Sequence, residues 1–281
     1  MKAILLPTDF SKNSINAINY AMELYKNTPC IFYILNVQKT SSFISDDFMV
    51  VNASTTIYDT IVDASKKSIH NIIERIKVKY KNNKHQFKTI VDYDNIIDSI
   101  NQVSEKYKID LIVMGTKGAS GISKVLFGSN AVHVIKGSKV PVLAIPDHCK
   151  YSNLEKVVFT TSYERVYKKL ELKPLANILS LENSQLCVLH VFCDNDLSEE
   201  LNSGIDFFNS NFSNPIFENM HVEDNDVYKA IHDYIIANNI KMISMHMSKH
   251  SFLERLFNKN TFENMALKID IPFLVMKKHQ D

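Results

Sequence analysis

The chain passes twice through one pattern of apolar runs, and that repetition constrains its fold more than any other feature. Ala3-Ile4-Leu5-Leu6-Pro7-Thr8-Asp9-Phe10 has its counterpart in Lys156-Val157-Val158-Phe159-Thr160-Thr161-Ser162-Tyr163. Ile34-Leu35-Asn36-Val37 returns as Val188-Leu189-His190-Val191, and Asp110-Leu111-Ile112-Val113-Met114 as Lys241-Met242-Ile243-Ser244-Met245. Val140-Pro141-Val142-Leu143-Ala144 returns as Ile271-Pro272-Phe273-Leu274-Val275. Order and approximate spacing agree throughout, with the second copy shorter between its second and third strands. Short continuous apolar runs suit strands buried on both faces of a parallel sheet. Strands alternating with helices imply right-handed βαβ units. At about 100–200 residues per domain, 281 residues make two domains. The expected boundaries are 1–147 and 154–281, with Asp147 to Asn153 as a short polar connection.

Within the first copy, a helix is expected after Ser11, with Ile15, Ile18, Met22 and Tyr25 on one face at three- and four-residue spacing. Thr8, Asp9 and Ser11 are all suitable N-caps. A strand over Ile31–Val37 leads into a mostly polar connection, Gln38 to Ser54. Then come a long amphipathic helix over Thr56–Tyr80, a strand over Phe87–Val91, a helix over Asn95–Tyr107 and a strand over Leu111–Met114.

Five of the six glycines (Gly115, Gly118, Gly121, Gly128, Gly137) fall between Asp110 and Pro146. They follow an apolar strand and lead into a helical segment. Glycine is required where the backbone turns with positive φ or where another group approaches the main chain closely. A glycine turn between a strand and a helix N-terminus is a common way to hold phosphate. Asp9, at the carboxyl end of the first strand, lies where open α/β sheets bind ligands.

The spacing of Gly115, Gly118 and the pair Gly128-Ser129, with Asn130 next, resembles the nucleotide-binding signature of the universal stress protein family. The resemblance covers the whole N-terminal half. It implies two tandem α/β domains of the adenine nucleotide α-hydrolase-like, Rossmann-like type, each a five-stranded, mainly parallel sheet flanked by helices. It implies ATP in the N-terminal domain. Asp9, with Pro7 and Thr8, would lie on the adenine or ribose side, and the backbone of Val37 at the adenine edge. Met114 and Gly115 would line the ribose, and Lys117, Gly118, Gly128, Ser129 and Asn130 would surround the phosphates. Three phosphates would bring Mg²⁺, although no carboxylate cluster demands a metal. Single-domain members pair through their last strands, so Val140–Ile145 and Ile271–Met276 would pair within one chain as a pseudo-dimer. A homodimer of two chains is also compatible. The second copy has His246 and Lys249 where the first has Gly115 and Gly118, and Asn258 to Thr261 in place of the Gly128-Ser129 region. It is expected to bind no nucleotide.

The pattern GxxxxGK[ST] is absent, as are a carboxylate pair and a Ser-His-Asp set. The expectation is a nucleotide-dependent switch or sensor in a stress response, with at most slow ATP hydrolysis. A nucleotide-independent scaffold and an adenylate-forming enzyme remain as alternatives. A net charge of +1 gives no electrostatic footprint for nucleic acid, and no apolar run reaches the roughly 18 residues of a membrane span. Four cysteines without CxxC spacing, Cys30, Cys149, Cys187 and Cys193, fit reduced thiols in a cytoplasmic protein. His246 and His250 lack the Glu of an HExxH motif. Phe252, Leu253, Leu256 and Phe257 would form one apolar helical face.

Overall fold

The computed structural model describes residues 1–38, 51–117, 128–161, 167–192, 199–222, 227–247 and 270–277. The chain is α/β, a mainly parallel sheet architecture flanked by helices, and it divides into two compact units. The first contains β1 (Lys2–Pro7), α1 (Lys12–Leu24), β2 (Cys30–Gln38), α2 (Val51–Tyr80), β3 (His85–Tyr93), α3 (Ile96–Tyr107), β4 (Leu111–Gly115) and α4 (Ser129–Gly137). The second contains β5 (Val142–Ile145), β6 (Lys156–Thr161), α5 (Lys173–Glu182), β7 (Gln185–Phe192), α6 (Glu199–Asn211), β8 (Ile216–His221), α7 (Val227–Ala237), β9 (Met242–Met247) and β10 (Phe273–Lys277).

In the first unit the strands run β3-β2-β1-β4, all parallel. The chain moves from β1 outward through β2 to β3, then crosses back to place β4 on the other side of β1. That reversal opens a crevice at the carboxyl ends of β1 and β4, where ligands of such sheets bind. In the second unit the parallel order β8-β7-β6-β9-β10 repeats the arrangement. The registers agree as well. Ile4 pairs with Leu111 and Phe32, and its counterpart Val157 pairs with Met242 and Leu186. The last strand of the first half, β5, pairs antiparallel with β10, Leu143 opposite Leu274, and it belongs to the second compact unit.

The core follows the apolar runs. Ile4, Leu5, Leu6, Phe32, Ile34, Leu35, Ile112 and Val113 are fully buried in the first unit, and Val157, Val158, Phe159, Val188, Leu189 and Ile243 in the second. Each such side chain contributes about 1.5–3 kcal/mol on leaving water. In α1 the buried apolar residues are Ala17, Ile18, Tyr20, Ala21, Met22 and Leu24, with Ile15 only half-buried, while Tyr25, also buried, is the C-cap. Of the three N-cap candidates, Ser11 is the cap, its Oγ accepting from the Ser14 amide at 3.2 Å. Asn95 caps α3 through the Ile97 amide at 2.9 Å.

Some boundaries move. The backbone of α2 starts at Val51, inside the stretch read as connection, because extending a formed helix costs little compared with starting one. β3 runs from His85 to Tyr93, two residues longer at each end than expected. Its parallel pairing with β2 is continuous from Cys30–His85 to Gln38–Tyr93. β5 starts at Val142 rather than Val140, since Pro141 has no N–H to give the ladder. Among the described residues no helix is long and apolar enough to cross a membrane.

Candidate functional site

The sequence around β1 places polar groups at the mouth of the crevice by bonding them to backbone. β1 ends at the buried Pro7, and the next residue, Thr8, is also buried. The Thr8 amide donates to the Leu35 carbonyl at 2.8 Å, so the first residue beyond β1 stays tied to β2. Its own carbonyl accepts from Asn36 Nδ2 at 2.7 Å, and its Oγ1 lies 2.9 Å from Ser14 Oγ. Gln38 Nε2 in turn donates to Asn36 Oδ1 at 2.7 Å and to Ser65 Oγ at 3.1 Å, bringing in α2. Asp9 is exposed, and its Oδ1 accepts from the Ser11 amide at 3.1 Å. The tight turn between them forces Phe10 to φ 64°, a left-handed conformation that side chains with a Cβ adopt at some cost.

On the other side of the crevice, β4 ends at the buried Met114 and Gly115. Gly115 is a place of close approach. A Cβ there would stand 2.9 Å from both Cγ and Nδ2 of Asn13, closer than such atoms come. The room left by the missing side chain is filled by Asn13 from α1, whose Nδ2 donates to the Lys117 carbonyl at 3.0 Å. Thr116 is fully buried, and its carbonyl accepts from the Gly128 amide at 2.6 Å. This bond brings the start of α4 to the β4 turn. Gly128 is the N-cap of α4 and has no side chain to cover the first amides, and Ser129 and Asn130 behind it are exposed. An uncapped helix N-terminus carries partial positive charge and free N–H donors, which suit an anion. α4 is seated by Gly137, where a Cβ would lie 2.7 Å from Ile97 Cγ2 of α3.

The expected residues therefore gather at one edge. Pro7 ends β1 and Thr8 and Asp9 follow it, the half-buried Val37 lies beside Asn36 near the end of β2, Met114 and Gly115 end β4 with Lys117 beyond, and Gly128, Ser129 and Asn130 open α4. Gly118 lies outside the described residues, as do Gly121, Ser162, Cys193, Lys249, His250, the segment Ser251 to Phe257 and Asn258 to Thr261. Three residues that hold the site together escaped the sequence reading: Asn13, Asn36 and Thr116. A signal existed for Asn36, an amide inside an otherwise apolar run. Asn13 had none, because its role depends on α1 passing over Gly115.

The second unit carries other chemistry at the same edge. Thr161 corresponds to Thr8, and its Oγ1 lies 2.9 Å from the hydroxyl of Tyr167, six residues on, as Ser14 is from Thr8. The Tyr167 ring is buried against Phe159, Phe208 and His246, with centroid separations of 5.3, 5.9 and 5.9 Å. By register His246 stands where Gly115 does. Both strand ends are thus touched by one aromatic side chain. Among the described residues no group of three or more His, Cys, Asp or Glu is arranged to hold a metal ion.

A sequence profile of the universal stress protein family matches residues 1–146. The chain belongs to that family. A universal stress protein of Methanocaldococcus jannaschii is 29% identical over 144 residues, which are 51% of this chain and 81% of the relative. Universal stress protein A homolog 1 of Coxiella burnetii is 26% identical over 144 residues, 51% of this chain and 95% of the relative. The crystal structure of a universal stress protein from Archaeoglobus fulgidus overlays with a TM-score of 0.64 at 21% identity, covering 98% of this chain and 96% of that one. That overlay shows the fold over both units.

Proposed function

We propose that the first unit binds ATP in the crevice between the carboxyl ends of β1 and β4, and that occupancy acts as a switch in a stress response. The observation carrying this is the joining of Gly115 and Lys117 to α1 through Asn13, and of Thr116 to Gly128 at the uncapped start of α4. This arrangement supplies backbone donors for phosphate oxygens. Thr8, Asp9 and Val37 sit at the neighbouring strand ends, where the nucleoside half of the ligand would lie. Lys117 adds a mobile point charge, and Mg²⁺ would enter with the phosphates rather than on a protein carboxylate cage. Occupancy rather than turnover is the proposed signal. Cys30, Cys149 and Cys187 are buried free thiols, in keeping with a reducing, cytoplasmic setting.

Calorimetry with ATP, with and without Mg²⁺, tests the proposal. One nucleotide per chain is expected for the native protein, with binding weakened by Asp9→Ala. No heat of binding under either condition would leave the glycines as turn formers and favour a nucleotide-independent scaffold. Release of AMP or pyrophosphate on incubation would instead indicate an adenylate-forming enzyme.

A further inference from the structure

Asn13 is a polar side chain almost wholly removed from solvent, at 5% exposure, on the first turn of α1. A carbonyl oxygen can only accept, so the 3.0 Å bond to the Lys117 carbonyl fixes the amide with Nδ2 toward the turn. The orientation leaves Oδ1 on the other side, buried and without a hydrogen-bond partner. Thr116 Oγ1, one residue before Lys117, is also buried and without a partner. Proteins rarely leave such groups unpaired, so each that persists calls for an explanation. The space Asn13 fills exists only because residue 115 is glycine. Gly115 and Asn13 are therefore one device: the glycine admits the amide, and the amide holds the backbone that follows.

We propose that Asn13 is the positioning residue of the phosphate-facing turn, acting on nucleotide through the Lys117 backbone and not by touching the ligand. The inference rests on the nucleotide reading above. Thr8 and Asn36 hold the opposite side of the crevice through separate bonds, Thr8 amide to Leu35 carbonyl and Asn36 Nδ2 to Thr8 carbonyl. Loss of the Asn13 bond therefore frees the Lys117 backbone, whereas Gly115, expected at the ribose, stays anchored as part of β4, and Thr8 and Asn36 keep their own bonds. A general weakening of the fold would affect both sides alike.

The test compares ATP with adenosine on the full chain, using Asn13→Leu, which keeps the branched shape without a donor, and Asn13→Ala. Thermal melts and the fraction of binding-competent protein serve as fold controls. Both variants are expected to raise the Kd for ATP by about tenfold or more, as loss of a buried hydrogen bond does. The Kd for adenosine should stay within about twofold of native, since no donor on that side is removed. An unchanged Kd for ATP in Asn13→Leu overturns the inference. An equal loss for both ligands, or a reduced competent fraction at unchanged Kd, overturns it in favour of a purely structural asparagine. If the native chain binds ATP with one nucleotide per chain and only the variants behave otherwise than expected, the nucleotide reading stands and this inference alone falls. If the native chain binds neither ligand, both fall.

Discussion

Two strand ends built on the same register do opposite things. At the end of β4, Gly115 presents bare backbone, and a small amide from α1 fills the space while holding the turn. At the end of β9, His246 presents an imidazole, and the phenol of Tyr167 packs against it. The threonine after or at the end of the central strand keeps its partner at the same separation in sequence, Thr8 with Ser14 and Thr161 with Tyr167, both at 2.9 Å. What changes is the size of the group carrying the hydroxyl. A serine carries it in the first unit, and a buried tyrosine ring carries it in the second. The second unit thus differs by more than missing glycines. Relative to the first unit, it exchanges a small hydroxyl pair for packed aromatic core.

The largest effect follows from that conversion. Tyr167→Ala should destabilise the second unit by about 3–5 kcal/mol, the usual cost of removing a buried aromatic ring. Tyr167→Phe should lose only about 1 kcal/mol with the bond to Thr161. Denaturant unfolding, read unit by unit through labelling of the buried thiols Cys30 and Cys187, distinguishes the two. Burial pushes the Cys30 thiol up to about 12 and raises that of Cys187, so both stay unreactive until their unit opens. A Tyr167→Ala protein as stable as native would mean that the ring does not fill the edge.

Exchanging the strand-end residues should act next most strongly. Gly115→Val forces overpacking against Asn13, costing about 1–3 kcal/mol, and where that strain falls on the site it lowers affinity by roughly 10- to 100-fold. His246→Gly should leave binding at one nucleotide per chain, because Tyr167 still occupies the edge. A second equivalent of ATP bound by His246→Gly would break the comparison.

Acid should separate the units more gently. His85, at the start of β3, is held below its ordinary value of 6.5, chiefly by burial, with Lys84 adding to the effect against a bond to the Tyr25 carbonyl. Below about pH 6.5 the unfolded chain takes up this proton more readily than the folded one. The stability held by neutral His85 is therefore complete above that pH and declines as pH falls from there toward the folded value. Thermal melts between pH 7.5 and 5, a span of roughly one His titration, should show the first unit losing stability. In His85→Gln that slope should be shallower.

Much of this protein was legible in its sequence because burial on both faces of a parallel strand demands continuous apolar runs. Those runs fixed β1, β4, β6 and β9 and, through their repetition, the registers that relate Gly115 to His246. The glycine spacing was legible too, since few residues other than glycine tolerate close backbone approach. Only the tertiary structure decided which of Thr8, Asp9 and Ser11 caps α1, because all three can do so locally. It decided that the expected pairing of the two last strands is antiparallel and that β5 belongs to the second unit, as strand direction and membership are set by packing rather than by the strand's own residues. It alone found Asn13 and Tyr167, one holding the turn after β4 and the other packed against the end of β9. Each acts on a strand end far away in sequence, and a contact of that kind exists only once helix and sheet have come together.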